Sequence, residues 1–300
     1  MASIADPERL HRLLAASHSE RLNPCVEASD WELALQREFD IRCIEHRFVE
    51  AERKEVVVAA ANVPRDPTKF VRWFESLEQT GPGQHDPLFR WLAEEASYEQ
   101  MCWFLSQEVA GEAGFEDLVA LTQVKLPERA KLELARNYWD EMGQGNAEGM
   151  HGPMLARLAR VLELRDSSET VWESLALGNL MVALAIDRHY AYQSIGALGV
   201  IELTAPGRAR LVNAGLKRLG ISGTIRQYFA LHATLDVRHS AAWNAEVLEP
   251  IVQQTPEAAR CIAEGALLRL RAGARCFERY RRELWSSRAK SRIPAQRVSA

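Results

Sequence analysis

The sequence predicts an all-α protein, and two features of its composition and pattern support this prediction. Ala, Leu, Glu and Arg, which favour helices, recur throughout the chain. Apolar residues follow one another at intervals of three and four positions rather than in strict alternation. The one run typical of a strand is residues 56–58, three consecutive valines. Because this run is so short, we expect it to be helical or irregular.

Glycine and proline signals divide the predicted helices into segments. The clearest loop is residues 81–87, GPGQHDP, because both residue types interrupt helices. We therefore expect an N-terminal helical extension over residues 1–85, a main helical domain over 86–285 and a flexible basic tail over 286–300. The predicted helices lie near residues 6–16, 31–53 and 68–78 in the extension, and near 88–110, 115–122, 126–164, 169–203, 206–219, 221–253 and 256–285 in the main domain.

Composition and charge exclude several classes of protein. Lys and Arg number 37 against 41 Asp and Glu, so no basic excess favours nucleic-acid binding. The chain has no apolar run of about 18 residues that would predict a transmembrane helix, and its N-terminus lacks the apolar stretch of a secretory signal. The five cysteines are scattered without a CxxC pair, which argues against a disulfide framework or a zinc site. We expect a cytoplasmic protein that binds neither nucleic acid nor membranes.

The segment LHATLDVRH, residues 231–239, is the most informative motif. It places His232, Asp236 and His239 at positions i, i+4 and i+7. Because each helical residue advances about 100°, the three side chains fall within an arc of roughly 60°. Two imidazoles and a carboxylate form a ligand set that suits iron or manganese. The alternative interpretation is a helix with a solvent-facing polar stripe.

A second motif lies in the glycine-rich segment YWDEMGQGNAEGMH, residues 138–151. Glu148 and His151 form a Glu-x-x-His pair of the kind found in carboxylate-bridged dimetal helices, and Glu141 lies seven residues earlier on the same face. Three glycines cost a helix about 1 kcal/mol each relative to Ala. Close approach of a metal, dioxygen or substrate to the backbone would explain them, and so would a tight helix–helix crossing.

Further candidate ligands lie on other predicted helices. Glu202 ends an apolar run of small residues, 195–203, and Glu108 is followed one turn later by Glu112, which could replace it. For each glutamate the more common interpretation is a helix residue turned to solvent. Six residues near the motifs could line a substrate pocket, although ordinary packing is the more common role for each: His189, Tyr190, Tyr192, Gln193, Arg226 and Tyr228.

Taken together, these motifs resemble the heme-oxygenase-like diiron oxidases, also described as iron-containing redox enzymes, over about residues 86–255. The family's His-x3-Asp-x2-His motif is matched at residues 232–239, and its glutamate some thirty residues earlier is matched by Glu202. Family members differ in the carboxylate of the second helix, for which we favour Glu141 with Glu148 as the alternative. The resemblance implies seven metal ligands: Glu108, Glu141, His151, Glu202, His232, Asp236 and His239.

The resemblance also implies a heme-oxygenase-like multi-helix bundle that binds two iron ions without heme, with manganese as an alternative for one of them. Dioxygen would be the co-substrate of a non-heme diiron oxygenase or oxidase. The expected partner is a small organic molecule, amino-acid-like, fatty-acid-like or nitrogen-containing, of the kind met in natural-product biosynthesis. An external electron donor and a homodimer are left open. The alternative is a metal-free helical binding or scaffold protein of the same fold.

Two related folds fit the motifs less well. A ferritin-like diiron bundle would carry two Glu-x-x-His pairs, whereas this chain has one together with His-x3-Asp-x2-His. Heme ligation needs a single proximal histidine, so the additional carboxylates argue against heme.

Overall fold

The computed structural model describes residues 6–24, 26, 30–112, 114–164 and 169–291, with side chains described as far as residue 286. Over these ranges the chain is helical and contains no β-strand. The predicted all-α bundle is therefore confirmed. In the valine run, Val57 and Val58 begin a short helix and Val56 lies in the turn before it, as expected for a helical or irregular segment.

The α-helices of the described residues are numbered in chain order. They are α1 Pro7–Leu22, α2 Trp31–Lys54, α3 Val57–Ala61, α4 Pro67–Thr80, α5 Pro87–Glu94, α6 Tyr98–Gly111, α7 Phe115–Thr122, α8 Glu128–Glu141, α9 His151–Val161, α10 Trp172–Ile186, α11 Ala191–Arg218, α12 Gln227–Trp243, α13 Glu249–Gln254 and α14 Ala258–Ser291. Short 3₁₀ turns lie at Gly143–Gly145, Ala147–Gly149 and Arg188–Tyr190, and a π-helical turn, Asn244–Leu248, joins α12 to α13.

The predicted single helix over residues 88–110 was wrong, because the chain ends one helix and begins another there. A side-chain cap at Ser97 starts α6: its hydroxyl accepts a hydrogen bond from the Gln100 backbone N–H, and the Gln100 side chain accepts one from the Ser97 N–H. This reciprocal pair satisfies two backbone donors that a helix start leaves unpaired. The capping signal was present in the sequence but was hidden within an otherwise continuous apolar pattern.

The predicted boundary at Pro206 was also wrong. Helix α11 runs through Pro206, and the break lies earlier, where the Asp187 side chain accepts a hydrogen bond from the His189 backbone N–H. A proline inside a helix removes one backbone hydrogen bond and usually favours an end. Here α11 packs against α5, α12 and α14 along its length, so tertiary packing outweighs the local preference.

Helix α11 occupies the centre of the bundle, and two glycines set its distance from α14. A Cβ added at Gly196 would lie 1.8 Å from the carbonyl oxygen of Ile262 on α14. A Cβ added at Gly265 would lie 1.8 Å from the carbonyl oxygen of Gln193 on α11. The two backbones therefore approach more closely than any residue with a side chain would permit at these positions.

The N-terminal helices pack onto this bundle and share its apolar core, to which they contribute Leu14, Phe48, Phe70 and Phe74. Helix α1 is also joined to α10 by buried polar contacts, since His18 Nδ1 lies 3.1 Å from Asn179 Oδ1. The division into an extension and a main domain stays a prediction.

Two other expectations concern the tail and the cysteines. Helix α14 continues to Ser291, so the first residues of the predicted flexible tail are helical; residues 292–300 lie outside the described residues. The four cysteines within the described residues are free thiols, and Cys25 lies outside them. Over the same ranges, no helix combines the length and the apolar character that a bilayer crossing needs.

Replacing Gly196 with alanine tests the close packing of α11 on α14. We expect Gly196→Ala to lower the free energy of unfolding by about 1 to 3 kcal/mol or more, because the new methyl group must push two backbones apart. Gly207→Ala on the same helix is the matched control, since its nearest neighbour, the Arg210 Nη2, is 3.9 Å from the added Cβ. Urea unfolding followed by circular dichroism compares the two, and equal midpoints would contradict the close approach.

Candidate metal centre

Helix α12 presents His232, Asp236 and His239 to the interior of the bundle. All three side chains are buried, with relative exposures of 8%, 3% and 6%. The alternative of a solvent-facing polar stripe therefore does not apply. They face residues of α8, α9 and α11, which supply further carboxylates and one more histidine.

The carboxylate of Glu141, the last residue of α8, lies between two groups of side chains. Its Oε2 is 2.7 Å from His151 Nδ1 and 3.9 Å from His232 Nε2. Its Oε1 is 3.7 Å from His239 Nδ1, and the same nitrogen is 3.5 Å from Glu202 Oε2. Glu141 thus belongs to two sets of potential ligand atoms, one with His151 and His232 and the other with Glu202 and His239.

Hydrogen bonds outside these sets fix which histidine nitrogen faces the centre. His232 Nδ1 donates to the Tyr228 carbonyl one turn earlier on α12, at 2.6 Å, which leaves Nε2 for the centre. His239 Nε2 lies 3.1 Å from Asp140 Oδ2 and donates to it, which leaves Nδ1 for the centre. Asn137 Nδ2 donates to Glu202 Oε1 at 2.6 Å and so orients that carboxylate.

His151 is held from two sides. Its Nδ1 faces Glu141 and lies 3.0 Å from His232 Nε2, whereas its Nε2 lies 2.7 Å from Glu112 Oε1. The Tyr228 hydroxyl is 3.1 Å from the same Nε2, and Phe115 stacks on the imidazole ring. The glutamate that contacts His151 is therefore Glu112, the C-cap residue of α6, which the sequence analysis named as a substitute for Glu108.

Glu108, one turn before Glu112, borders a cavity together with Glu112, His232 and Asp236. Tyr280 donates a hydrogen bond to it, and the positive charges of Arg269 and Arg208 act on it. Among the described residues, Glu108 belongs to neither of the two ligand sets that share Glu141. Its assignment as a metal ligand stays a prediction, and the geometry favours Glu112 for that corner of the centre.

The glycine-rich segment is a turn between two helices rather than part of a long helix, so the helix predicted over 126–164 was wrong there. Gly143 has a φ of +60°, and a Cβ there would lie 2.5 Å from the Gly149 carbonyl carbon. This compact turn ends α8 at Glu141 and starts α9 at His151, which brings the two side chains together. It leaves Glu148, the alternative ligand, in a 3₁₀ turn with its side chain 84% exposed.

Burial and mutual repulsion shift the titration of these groups. Burial and the nearby charges of Glu202 and Glu141 raise the pKa of Asp236 to about 10. Burial opposes the charged form of Glu141, but hydrogen bonds from His151 and His232 outweigh it and lower the pKa of Glu141. Burial likewise opposes the charged form of His239, but contacts with Glu202 and Asp140 raise its pKa to about 9.

These observations fit a metal centre. Buried Asp236 Oδ1 and His239 Nδ1 have no hydrogen-bond partner among the described residues. Cations beside Glu141, Glu202 and Asp236 would hold all three acids ionised, whereas without them Asp236 keeps its proton. The donors are nitrogen and carboxylate oxygen with no thiolate, a set that suits iron or manganese.

A cavity of about 110 Å³ adjoins the centre and is bordered by His232, Asp236, Glu112 and Tyr228. Among the residues suggested for a substrate pocket, Tyr228 thus lines a cavity beside the ligands. The others lie elsewhere: Gln193 bonds Glu264, Arg226 bonds Asn213, and His189 is exposed beside Tyr190. Tyr192 is partly buried against the core.

Sequence reasoning missed two residues that orient the ligands. Asp140 and Asn137 lie one and four residues before Glu141 on α8 and contact His239 and Glu202 respectively. Asp140 lay in the glycine-rich motif, but its role depends on the position of α12, which the local pattern does not fix. A polar residue at helical spacing before a ligand was the available signal for Asn137.

The chain belongs to the family of iron-containing redox enzymes, which it matches over residues 102–274. Two crystal structures of a CADD-like protein of unknown function from Nostoc punctiforme PCC 73102 share its fold. One has a TM-score of 0.59 at 17% identity, covering 74% of this chain and 99% of the other. The second has a TM-score of 0.55 at 18% identity, covering 75% and 98%. The predicted family and heme-oxygenase-like fold are thus confirmed. A comparison with curated proteins gives no significant match.

The raised histidine pKa values lead to an expected pH dependence of metal binding. Each donor set contains one histidine with a raised pKa, His151 or His239, and a metal ion must displace its proton. We therefore expect the affinity of each set for Mn(II) to rise at least about tenfold per pH unit between about pH 6.5 and 9. In the metal-free protein, the raised pKa of His239 gives stability that is complete below about pH 6.5 and is lost as the pH rises through about 9. Chelator competition under nitrogen measures the affinity, and an affinity that is flat across this range would contradict the assignment.

Proposed function

We propose that this chain is a non-heme diiron oxidase or oxygenase that uses dioxygen to oxidise a small organic substrate. The observation that carries the proposal is the position of Glu141, whose two carboxylate oxygens face two different sets of buried ligands. Membership of the iron-containing redox enzyme family supports iron as the metal. Manganese at one position remains compatible with the same nitrogen and oxygen donors.

In this proposal each side chain has a defined task. Glu141, His151 and His232 would hold one iron ion, and Glu141, Glu202 and His239 would hold the other. Asp236 adds a carboxylate at the border of the cavity. The bound iron pair supplies the site at which dioxygen is reduced and the substrate oxidised. The protein fixes the ligand geometry through the Tyr228 carbonyl and the surrounding acids.

Burial of the centre supports an oxidative role. The ligands lie inside the bundle, and residues such as Phe89, Leu177 and Phe277 form an apolar part of the wall of the adjoining cavity. Exclusion of water from such a site protects reactive species from side reactions. The Tyr228 hydroxyl keeps its proton, because burial and the charge of Glu112 raise its pKa well above the ordinary value. It therefore remains a hydrogen-bond donor at the border of the cavity.

The need for an external electron donor depends on how many electrons the substrate supplies to dioxygen. An oxygenase that inserts one oxygen atom into its substrate and reduces the other to water needs two electrons from an external donor. An oxidase that takes two electrons from its substrate and yields hydrogen peroxide needs no donor. We propose that the chain works in the reducing cytoplasm, which the free thiols of its described cysteines support.

Iron loading tests the proposal directly. We expect the chain to bind about two Fe(II) ions per molecule under nitrogen, because each of the two donor sets can hold one ion. We also expect it to consume dioxygen when air is admitted. His232→Ala and Asp236→Ala should each weaken the affinity for iron at least tenfold. Both variants should therefore contain less iron and consume less dioxygen. His189→Ala, which removes an exposed histidine, is the matched control. Folded protein that binds no iron, or unchanged iron in both ligand variants, would refute the proposed function.

The same measurement distinguishes Glu108 of α6 from Glu112, the C-cap residue of that helix. Glu112→Gln should weaken iron binding because it loosens His151, whereas Glu108→Gln should retain the wild-type iron content. The reverse result would return Glu108 to the ligand set. Circular dichroism verifies that both variants are folded.

A further inference from the structure

Three residues at the junction of α6 and α7 contact His151 or the residue that follows it. Glu112 Oε1 lies 2.7 Å from His151 Nε2, and Phe115, the first residue of α7, stacks on the imidazole with ring centres 5.8 Å apart. Glu116, the next residue of α7, contacts the backbone instead. The Gly152 N–H donates to Glu116 Oε1 at 3.2 Å. The imidazole and the backbone that carries it are therefore held by the same short segment.

Helix α9 begins at His151 without a cap from its own chain segment. The residue before it, Met150, has no side-chain acceptor, and its side chain makes no capping hydrogen bond. The first N–H groups of a helix have no partner inside the helix, and Pro153 in the first turn has no N–H. Glu116 accepts the Gly152 N–H in place of an N-cap side chain. Its carboxylate also lies at the positive end of the helix dipole.

The glycine at position 152 makes room for this carboxylate. A Cβ added at Gly152 would lie 2.6 Å from Glu116 Oε1, and the three nearest atoms all belong to the carboxyl group of Glu116. The second oxygen, Oε2, is buried and has no hydrogen-bond partner among the described residues. The carboxyl group therefore fills the space beside Gly152, and a side chain at that position would push it away from the N–H.

We propose that Glu116 is a positioning residue of the metal centre. By capping α9 it fixes the backbone of His151, the first residue of that helix, and so aims the imidazole at Glu141 and His232. The inference rests on the proposed function, because it takes these three residues to be metal ligands. A helix start without a capping partner frays, and fraying here would move the Cα of His151 itself.

The effect of Glu116 is confined to one of the two donor sets. Glu141, His151 and His232 have ligand atoms within 4.8 Å of one another, and so have Glu141, Glu202 and His239. The second set comes from α8, α11 and α12, and the start of α9 contributes nothing to it. Loss of the cap should therefore weaken the first set and leave the second intact.

Titration of the full-length chain with Mn(II) under nitrogen tests this asymmetry by calorimetry, without turnover. Glu116→Ala should weaken the binding of one of two ions by about 10- to 100-fold, the loss typical of residues that orient a ligand. Glu116→Gln should recover part of that loss, because its amide oxygen can accept the same hydrogen bond but lacks the charge that favours a helix start. Asp117→Ala removes an exposed acid from the same turn of α7 and is the matched control. Wild-type affinities in Glu116→Ala, or equal weakening of both ions, would overturn the proposal.

Gly152→Ala tests the same contact in the metal-free protein. The new methyl group should displace the carboxylate of Glu116 in the wild-type chain, but it has nothing to displace in a Glu116→Ala background. The readout is the set of imidazole signals of His151 in the NMR spectrum of histidine-labelled protein, assigned by their loss in His151→Gln. We expect Gly152→Ala to shift these signals in the wild-type background only.

A purely structural role would change the unfolding midpoint and leave the imidazole signals where they are. Signals of His151 that do not move in Glu116→Ala, or an equal shift by Gly152→Ala in both backgrounds, would therefore refute the positioning role. If Glu116→Ala fails to fold by circular dichroism, Glu116→Gln takes its place in both experiments, with the same direction of change.

Failure of this proposal is distinguishable from failure of the proposed function. Folded wild-type protein that binds no Mn(II) and no iron would refute the proposed function, whatever the NMR spectra show. Normal binding of two ions by the wild-type chain and by Glu116→Ala would refute the positioning role and leave the proposed function intact.

Discussion

The structure depends on the burial of several carboxylates at one place in a helical bundle. Glu141, Glu202 and Asp236 are each less than 5% exposed and lie near one another. Transfer of an ionised carboxylate from water to a protein interior is costly unless a cation or a proton compensates it. In the metal-free chain the histidines compensate in part and Asp236 keeps its proton. Metal ions would compensate more completely, which is why this arrangement indicates a metal centre rather than a structural salt-bridge network.

The helices can meet at this point because a compact turn and two glycines allow their backbones to approach closely. The compact turn at residues 142–150 brings the end of α8 against the start of α9, so that Glu141 and His151 come into contact. Gly196 and Gly265 let α11 and α14 approach closely, and this places the wall of the cavity beside the centre. Ligand geometry and cavity shape are thus consequences of the same packing.

Local patterns predicted the shared helix face of three candidate ligands. His232, Asp236 and His239 depend only on helical periodicity within α12, and their common buried face follows from their spacing. Glu108 and Glu112 lie one turn apart on the same face, so the choice between them depends on the position of α6 along its axis relative to α9, which single-sequence periodicity does not give. The favoured choice of Glu141 over Glu148 agrees with the geometry, although the reason is the turn and not a shared helical face.

The fold class was predicted from composition and periodicity, whereas several helix boundaries were not. Ser97 and Asp187 cap helices within long apolar patterns, and Pro206 lies inside a helix that packing on three sides holds together. Glu116 and Gly152 lie on different helices. Their contact is a property of the tertiary structure, and the sequence pattern therefore could not reveal it.

The most direct test of the central claim is anomalous diffraction from crystals of the Mn(II)-loaded chain grown without oxygen. We expect two anomalous peaks, one on each side of the Glu141 carboxylate. One should contact His151 and His232, and the other should contact Glu202 and His239. A single peak, or peaks away from Glu141, would contradict the account of a dimetal centre built around this residue.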